Sequence, residues 1–151
     1  MSYFTKARVK ELRDMSPTDL QELFIAEFVV LEESYISGSV DFFIDGFYVG
    51  NVGLQAGERR FSFEMFYPIG FPDEERGLEG MGLGTLANAI VLENICPRIP
   101  GDLDLWKVYH NQATPDRFNH LDAMALVPDG EPLDKFKDLS LDYARERGFN
   151  F

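Results

Sequence analysis

Two runs of strand-forming side chains, Val40 to Ile44 and Phe47 to Leu54, are separated by the dipeptide Asp45-Gly46. Asp-Gly between such runs is a strong hairpin signal, because a tight two-residue turn needs positive φ at both positions. A second turn, Gln55-Ala56-Gly57-Glu58, leads into Arg59 to Tyr67. There Phe61, Phe63 and Met65 alternate with Ser62, Glu64 and Phe66 until Pro68 ends the run. The middle of the chain therefore reads as an antiparallel meander, and the flanking segments must cover a sheet.

The flanks carry helical spacing. Ser16 suits an N-cap, Pro17 the first helical position and Asp19 the first turn. Leu20, Leu23, Phe24, Phe28 and Leu31 continue at helical intervals, predicting a helix to about Ser34. Ahead of it, Ala7 to Leu12 alternates weakly and reads as a strand. Beyond the meander, Leu83 to Ile95 predicts a helix with an inner face of Leu83, Leu86, Ala87, Ile90, Val91 and Asn94, and Pro97 stands just past its end. Leu103 to Val108 reads as a strand, Pro115 to Leu121 as a short helix, and Ala123 to Val127 as a further strand. Leu139 to Arg147 reads as a terminal helix before Gly148. The class this implies is α+β: a twisted, mostly antiparallel mixed sheet flanked by helices, in one domain spanning 1–151.

At 151 residues the chain is the size of one domain, and with 45% hydrophobic residues, including 14 Phe, it is not disordered. No apolar run approaches the roughly 20 residues of a membrane span. Met1 to Lys10 has no apolar core after it, so no signal peptide is expected. The lone Cys96 cannot form an internal disulfide, which predicts a reducing, cytoplasmic setting. The net charge of −12 disfavours phosphate backbones as ligands and favours cationic ones. The partners this predicts are an amine-bearing small molecule or a basic protein substrate, with neither nucleic acid nor membrane. Self-association as a homodimer is left open.

Chemical character concentrates in Glu79-Gly80-Met81-Gly82-Leu83-Gly84-Thr85, where three alternating glycines lead into a helix. Glycines let a ligand approach the backbone, and first-turn amides have no partner inside the helix, so such a segment suits a pyrophosphate. A P-loop needs a Lys before its Ser or Thr, and Leu83-Gly84-Thr85 has none. A dinucleotide fingerprint fits formally through Gly82, Gly84 and Ala87, with Asp102 or Asp104 about 20 residues on. It should follow an apolar strand at once, however, and Pro72-Asp73-Glu74-Glu75-Arg76 intervenes.

The segment resembles the coenzyme A site of the GNAT superfamily of N-acetyltransferases, whose signature is a strand ending in V-x-P followed by R-G-x-G-I-G-S/T-x-L opening a helix. Phe66-Tyr67-Pro68 stands in the place of V-x-P, and Glu79-Gly80-Met81-Gly82-Leu83-Gly84-Thr85-Leu86 looks like the glycine segment. Ala7 to Leu12 resembles the family's first strand, Asp45 to Gly50 its central hairpin, and Asn111 with Ala113 its segment after the fifth strand. The likeness spans roughly residues 7 to 127. Four departures stand against it. The gap between Pro68 and the glycines is long; Glu79 replaces an Arg or Gln, with Arg76 a substitute; Asn111-Gln112-Ala113 is one residue short; and Phe118 falls where the usual acid Tyr would be. Tyr143, in a late Tyr143-Ala144-Arg145-Glu146-Arg147-Gly148-Phe149 segment, is the other alignment for that Tyr.

The resemblance implies acetyl-CoA (CoA) as cofactor and transfer of its acetyl group to an amine. It places backbone amides at Phe66 and Tyr67 on the thioester carbonyl, those of Gly80, Met81, Gly82, Leu83, Gly84 and Thr85 at the pyrophosphate, and Asn111 and Phe118 along the remaining cofactor. The general base is expected at Glu64, on the strand two residues before the carbonyl site, with His110 as the other candidate and His120 a weaker one. No metal site is expected from two His and one Cys. A GNAT-fold binding or inhibitory module without turnover is the competing reading.

Overall fold

The computed structural model describes residues 4–29, 36–57, 59–63, 78, 80–99, 101–110 and 130–151. Among the described residues, four helices and five strands follow in the order α1 (Lys6–Asp14), α2 (Pro17–Leu23), β1 (Ile25–Val29), β2 (Ile36–Ile44), β3 (Phe47–Gly57), β4 (Arg60–Phe63), α3 (Leu83–Ile95), β5 (Lys107–His110) and α4 (Leu133–Glu146). The strands form one sheet in sequence order, β1-β2-β3-β4-β5. Its first four strands pair antiparallel, while β4 and β5 run parallel, with α3 lying between them in sequence. The class is α+β, as the pattern of strands and helices implied.

The hairpin forms where the sequence places it. Asp45 and Gly46 both have positive φ, 54° and 82°, and Phe47 pairs with Ile44 across the turn. Arg8 of α1 grips the turn, its Nε and Nη2 donating to the two Asp45 carboxylate oxygens at 2.7 and 3.0 Å. These bonds hold the Asp45 carboxyl below its ordinary range. The Asp-Gly pair thus shapes the hairpin and also fastens a helix to it.

Two expectations near the start of the chain are overturned. Residues 7–12 are helical: Thr5 caps α1 by accepting from the Arg8 N–H, and Val9 and Leu12, three apart, are its buried residues. A six-residue alternation is too short to exclude helical spacing, and the cap decided the outcome. The second helix begins as predicted, with Ser16 accepting from the Asp19 N–H, but it stops at Leu23. Residues 25–29 are a strand in register with β2, Ile25 opposite Phe43 and Val29 opposite Ser39. A two-turn helix has little stability of its own, so pairing with β2 overrode the helical spacing of Phe24 and Phe28. Phe24 still reaches the sheet, its ring stacked on Phe42 with centroids 4.6 Å apart.

Further along, α3 has the predicted bounds, yet its burial is broader than one face. Thr85, Asn88, Ala89 and Leu92 are buried alongside Leu83, Leu86, Ala87 and Val91, whereas Asn94 is exposed and donates to the Ile90 carbonyl. A helix buried nearly all round is a core element. The strand expected at Leu103 begins at Lys107, since Leu103–Leu105 forms a single 3₁₀ turn. The terminal helix starts six residues earlier than expected, with Pro132 at its N-cap. Just ahead of it, Gly130 and Glu131 exchange backbone bonds with Val108 and so line the outer side of β5. Buried side chains from Phe4 to Phe149 join in one cluster. The readings for 115–121 and 123–127 lie outside the described residues.

Candidate functional site

Of the predicted site, the structure describes the glycine segment from Gly80 onward, Tyr143 and the backbone of His110. Gly80 and Gly82 both have φ near +80°, a left-handed conformation that a side chain disfavours. Gly82 occupies the N-cap of α3 with no side-chain cap, and the Leu86 N–H closes the first helical turn onto its carbonyl at 2.9 Å. The first-turn amides of Leu83, Gly84 and Thr85 therefore sit at the positive end of a thirteen-residue helix.

This end of α3 borders a cleft of about 250 Å³. Gly80 and Met81 form one side of it. Leu12, Arg13 and Met15 at the end of α1, with Pro17 and Leu20 of α2, form another, and Arg147 with Phe149 completes it. The last pair comes very close. A Cβ built on Gly82 would lie 3.0 Å from Nη1 and 3.2 Å from Cδ of Arg147, and 3.2 Å from Cε2 of Phe149. Gly82 is thus constrained twice, by its backbone angle and by the residues after α4.

The electrostatics of the cleft run against those of the chain. In a protein of net charge −12, Arg13 and Arg147 line the cleft and none of the described lining residues is acidic; Arg13 is engaged in a further interaction, and Arg147 lies against Gly82, the N-cap of α3. Arg147 is exposed and has no ion-pair partner among the described residues, whereas nearby Arg145 is engaged with Asp142 at 3.0 Å and with the Phe151 carbonyl. Such a donor set suits a bidentate anion such as a phosphate.

Among the other predicted residues, Glu64, Phe66, Tyr67, Asn111, Phe118 and His120 lie outside the described residues. His110 ends β5, and its register partner is Phe63 at the end of β4; its side chain is outside what is described. Tyr143 is half-buried on α4, one turn before Arg147, whose N–H donates to the Tyr143 carbonyl. It does not line the cleft. Cys96 is buried, and burial pushes its thiol up to about 11, so it is not poised as a nucleophile.

Arg13, Arg147 and Phe149 escaped the sequence reading. Arg147 and Phe149 lie in the segment singled out for Tyr143, and the available signal was the run of two arginines and a glycine ahead of an aromatic. Compared with protein-family models, with curated proteins and with solved structures, the chain matches none.

Proposed function

We propose that the chain is an acyl-CoA-dependent N-acetyltransferase of GNAT type, with the phosphates of its cofactor held at Gly80 to Thr85. One observation carries the reading. The glycine turn opens the helix that follows β4 and precedes its parallel neighbour β5, and it borders the cleft that holds Arg13 and Arg147. Ligands of sheets with parallel strands gather where the strand ends and the next helix begins. Against the resemblance stands α1, which is helical where a first strand was implied. The support therefore comes from β2 onward.

Acetyl-CoA, when bound, supplies the acetyl group as a thioester. The chain's own residues have three tasks. Arg147 and the amides of Gly82, Leu83, Gly84 and Thr85 hold the phosphate charge. Glu64 takes the proton from the acceptor ammonium, directly or through water, since only the neutral amine attacks; His110 is the alternative. Backbone N–H groups at Phe66 and Tyr67 polarise the carbonyl, with Asn111 on the pantetheine arm or thiol and Phe118 beside it. A thiolate leaves readily, so Phe118 in place of an acid is compatible with turnover, and Tyr143 is the remaining acid candidate. Phe118, together with Glu79 at the glycines, favours a second reading, a binding module of the same fold without turnover.

Thermal unfolding with acetyl-CoA, CoA, NAD and ATP tests the site. Acetyl-CoA and CoA at a hundred times their Kd should stabilise the protein by about 2.7 kcal/mol. Arg147→Ala should weaken that binding about tenfold, the loss of one charge-assisted contact. Stabilisation by NAD or ATP with none by CoA would sink the reading. With an amine panel, Glu64→Gln should slow transfer about 10²–10⁴-fold at unchanged acetyl-CoA affinity. Binding without transfer to any amine would leave the second reading.

A further inference from the structure

The two faces of β1–β3 differ. On one, Val40, Phe42, Ile44, Val52 and Leu54 are buried. The other carries three registered rows. Ile25, Phe43 and Tyr48 form the first, with Ile25 opposite Phe43 and Phe43 opposite Tyr48. Glu27, Asp41 and Asn51 form the second. The third is Val29, Ser39 and Gly53. Residues paired across antiparallel strands project to the same side, and the Phe43 and Tyr48 rings meet at 5.8 Å.

Three properties of this face are unusual for a surface with no partner. Ile25 is 56% exposed and Tyr48 38%, so an aliphatic–aromatic row lies open to solvent. Directly beside it, Glu27 and Asp41 face each other on adjacent strands, an arrangement of like charges that weakens a sheet. Neither carboxylate has an ion-pair or hydrogen-bond partner among the described residues. Burial and, after it, the Asp41 charge raise the Tyr48 hydroxyl pKa above its ordinary value, which places that ring within the field of Asp41.

We infer that this face is the docking surface for a lysine- or arginine-bearing polypeptide segment of a partner protein. A cation set between Glu27 and Asp41 relieves their repulsion and lies alongside the Tyr48 and Phe43 rings, where a cation–π contact adds to the ion pair. The exposed Ile25 and Tyr48 give an apolar neighbour of that cation a surface to cover. A free ammonium ion would satisfy the carboxylates alone, whereas a segment with apolar residues between its cations uses both rows. The surface stands apart from the transferase reading, since it lies on the sheet and not at the opening of α3.

Fluorescence anisotropy of a labelled peptide of alternating lysine and leucine, with a glutamate–leucine peptide as control, tests the inference without any cofactor. The lysine peptide should bind the full chain and the glutamate peptide should not. Glu27→Gln with Asp41→Asn should weaken binding about tenfold. Glu93→Gln with Asp138→Asn removes the same charge from exposed helix positions and should change it less than about twofold. Tyr48→Ala should weaken binding separately, and the Glu27/Asp41 variant should melt no lower than the parent because a like-charge pair is gone. Equal losses in the two charge variants would reduce the effect to net charge and overturn the inference. It also falls if the lysine peptide does not bind, or if spermine binds as tightly as the peptide, making the occupant a small amine.

Discussion

Asp45-Gly46 and the Gly80–Gly82 segment both turn the chain through left-handed backbone, but for different reasons. At Gly46 an added Cβ meets nothing within 4 Å, so the demand is conformational and local. At Gly82 the same addition meets Arg147 and Phe149, so the demand is also tertiary. The first turn is fixed by its neighbours in sequence, and the second by a segment more than sixty positions away. One amino-acid type therefore reports on two scales of structure. At the second turn, the close approach brings a guanidinium to a helix N-terminus.

The same substitution at both sites separates the two demands. Gly82→Ala should cost about 2–4 kcal/mol, strain plus overpacking, against about 1–2 kcal/mol for Gly46→Ala, read from urea unfolding. Equal costs would mean that the tail does not press on Gly82. A double-mutant cycle sharpens this: adding Arg147→Ala to Gly82→Ala should recover about 1 kcal/mol, with Phe149 retaining the rest, whereas Arg147→Ala with Gly46→Ala should be additive. The smallest effect is at the first turn. Asn-Gly suits the same turn, so Asp45→Asn keeps the hairpin and removes only the Arg8 pairing. Tm at pH 7 should fall by no more than a few degrees. Because the folded Asp45 pKa lies below its ordinary 3.8, the pairing is present above that value and is lost as pH falls through the lowered one. The gap in Tm between parent and Asp45→Asn should therefore close in acid, and a gap that persists there would assign the loss to the turn.

What was legible in the sequence follows the same division of scale. The hairpin, the Ser16 cap and the bounds of α3 were readable because each rests on neighbours a few positions apart. Ile25–Val29 was misread because Phe24 and Phe28 satisfy helical spacing equally well, and the deciding partner, β2, begins at Ile36. At the candidate site the glycines were visible as a motif. Arg13 and Arg147 were not, because nothing local marks Arg13 as part of the cleft lining or Arg147 as a neighbour of Gly82. Glu64, as a base, remains a reading from position along a strand.

The walls of the cleft also constrain how the protein can be made. Gln21 of α2 and Asn150 exchange two bonds, the amide nitrogen donating to the Asn150 carbonyl at 3.0 Å and the Asn150 N–H to Gln21 Oε1 at 2.7 Å, between partners 129 positions apart. Contacts so distant in sequence form late, since a long loop must close before they contribute. During synthesis the meander and α3 leave the ribosome well before residues 147–151, so the nascent chain has its glycine turn long before it has Arg147. The approach of Arg147 and Phe149 to Gly82 is thus completed well after the turn itself has formed.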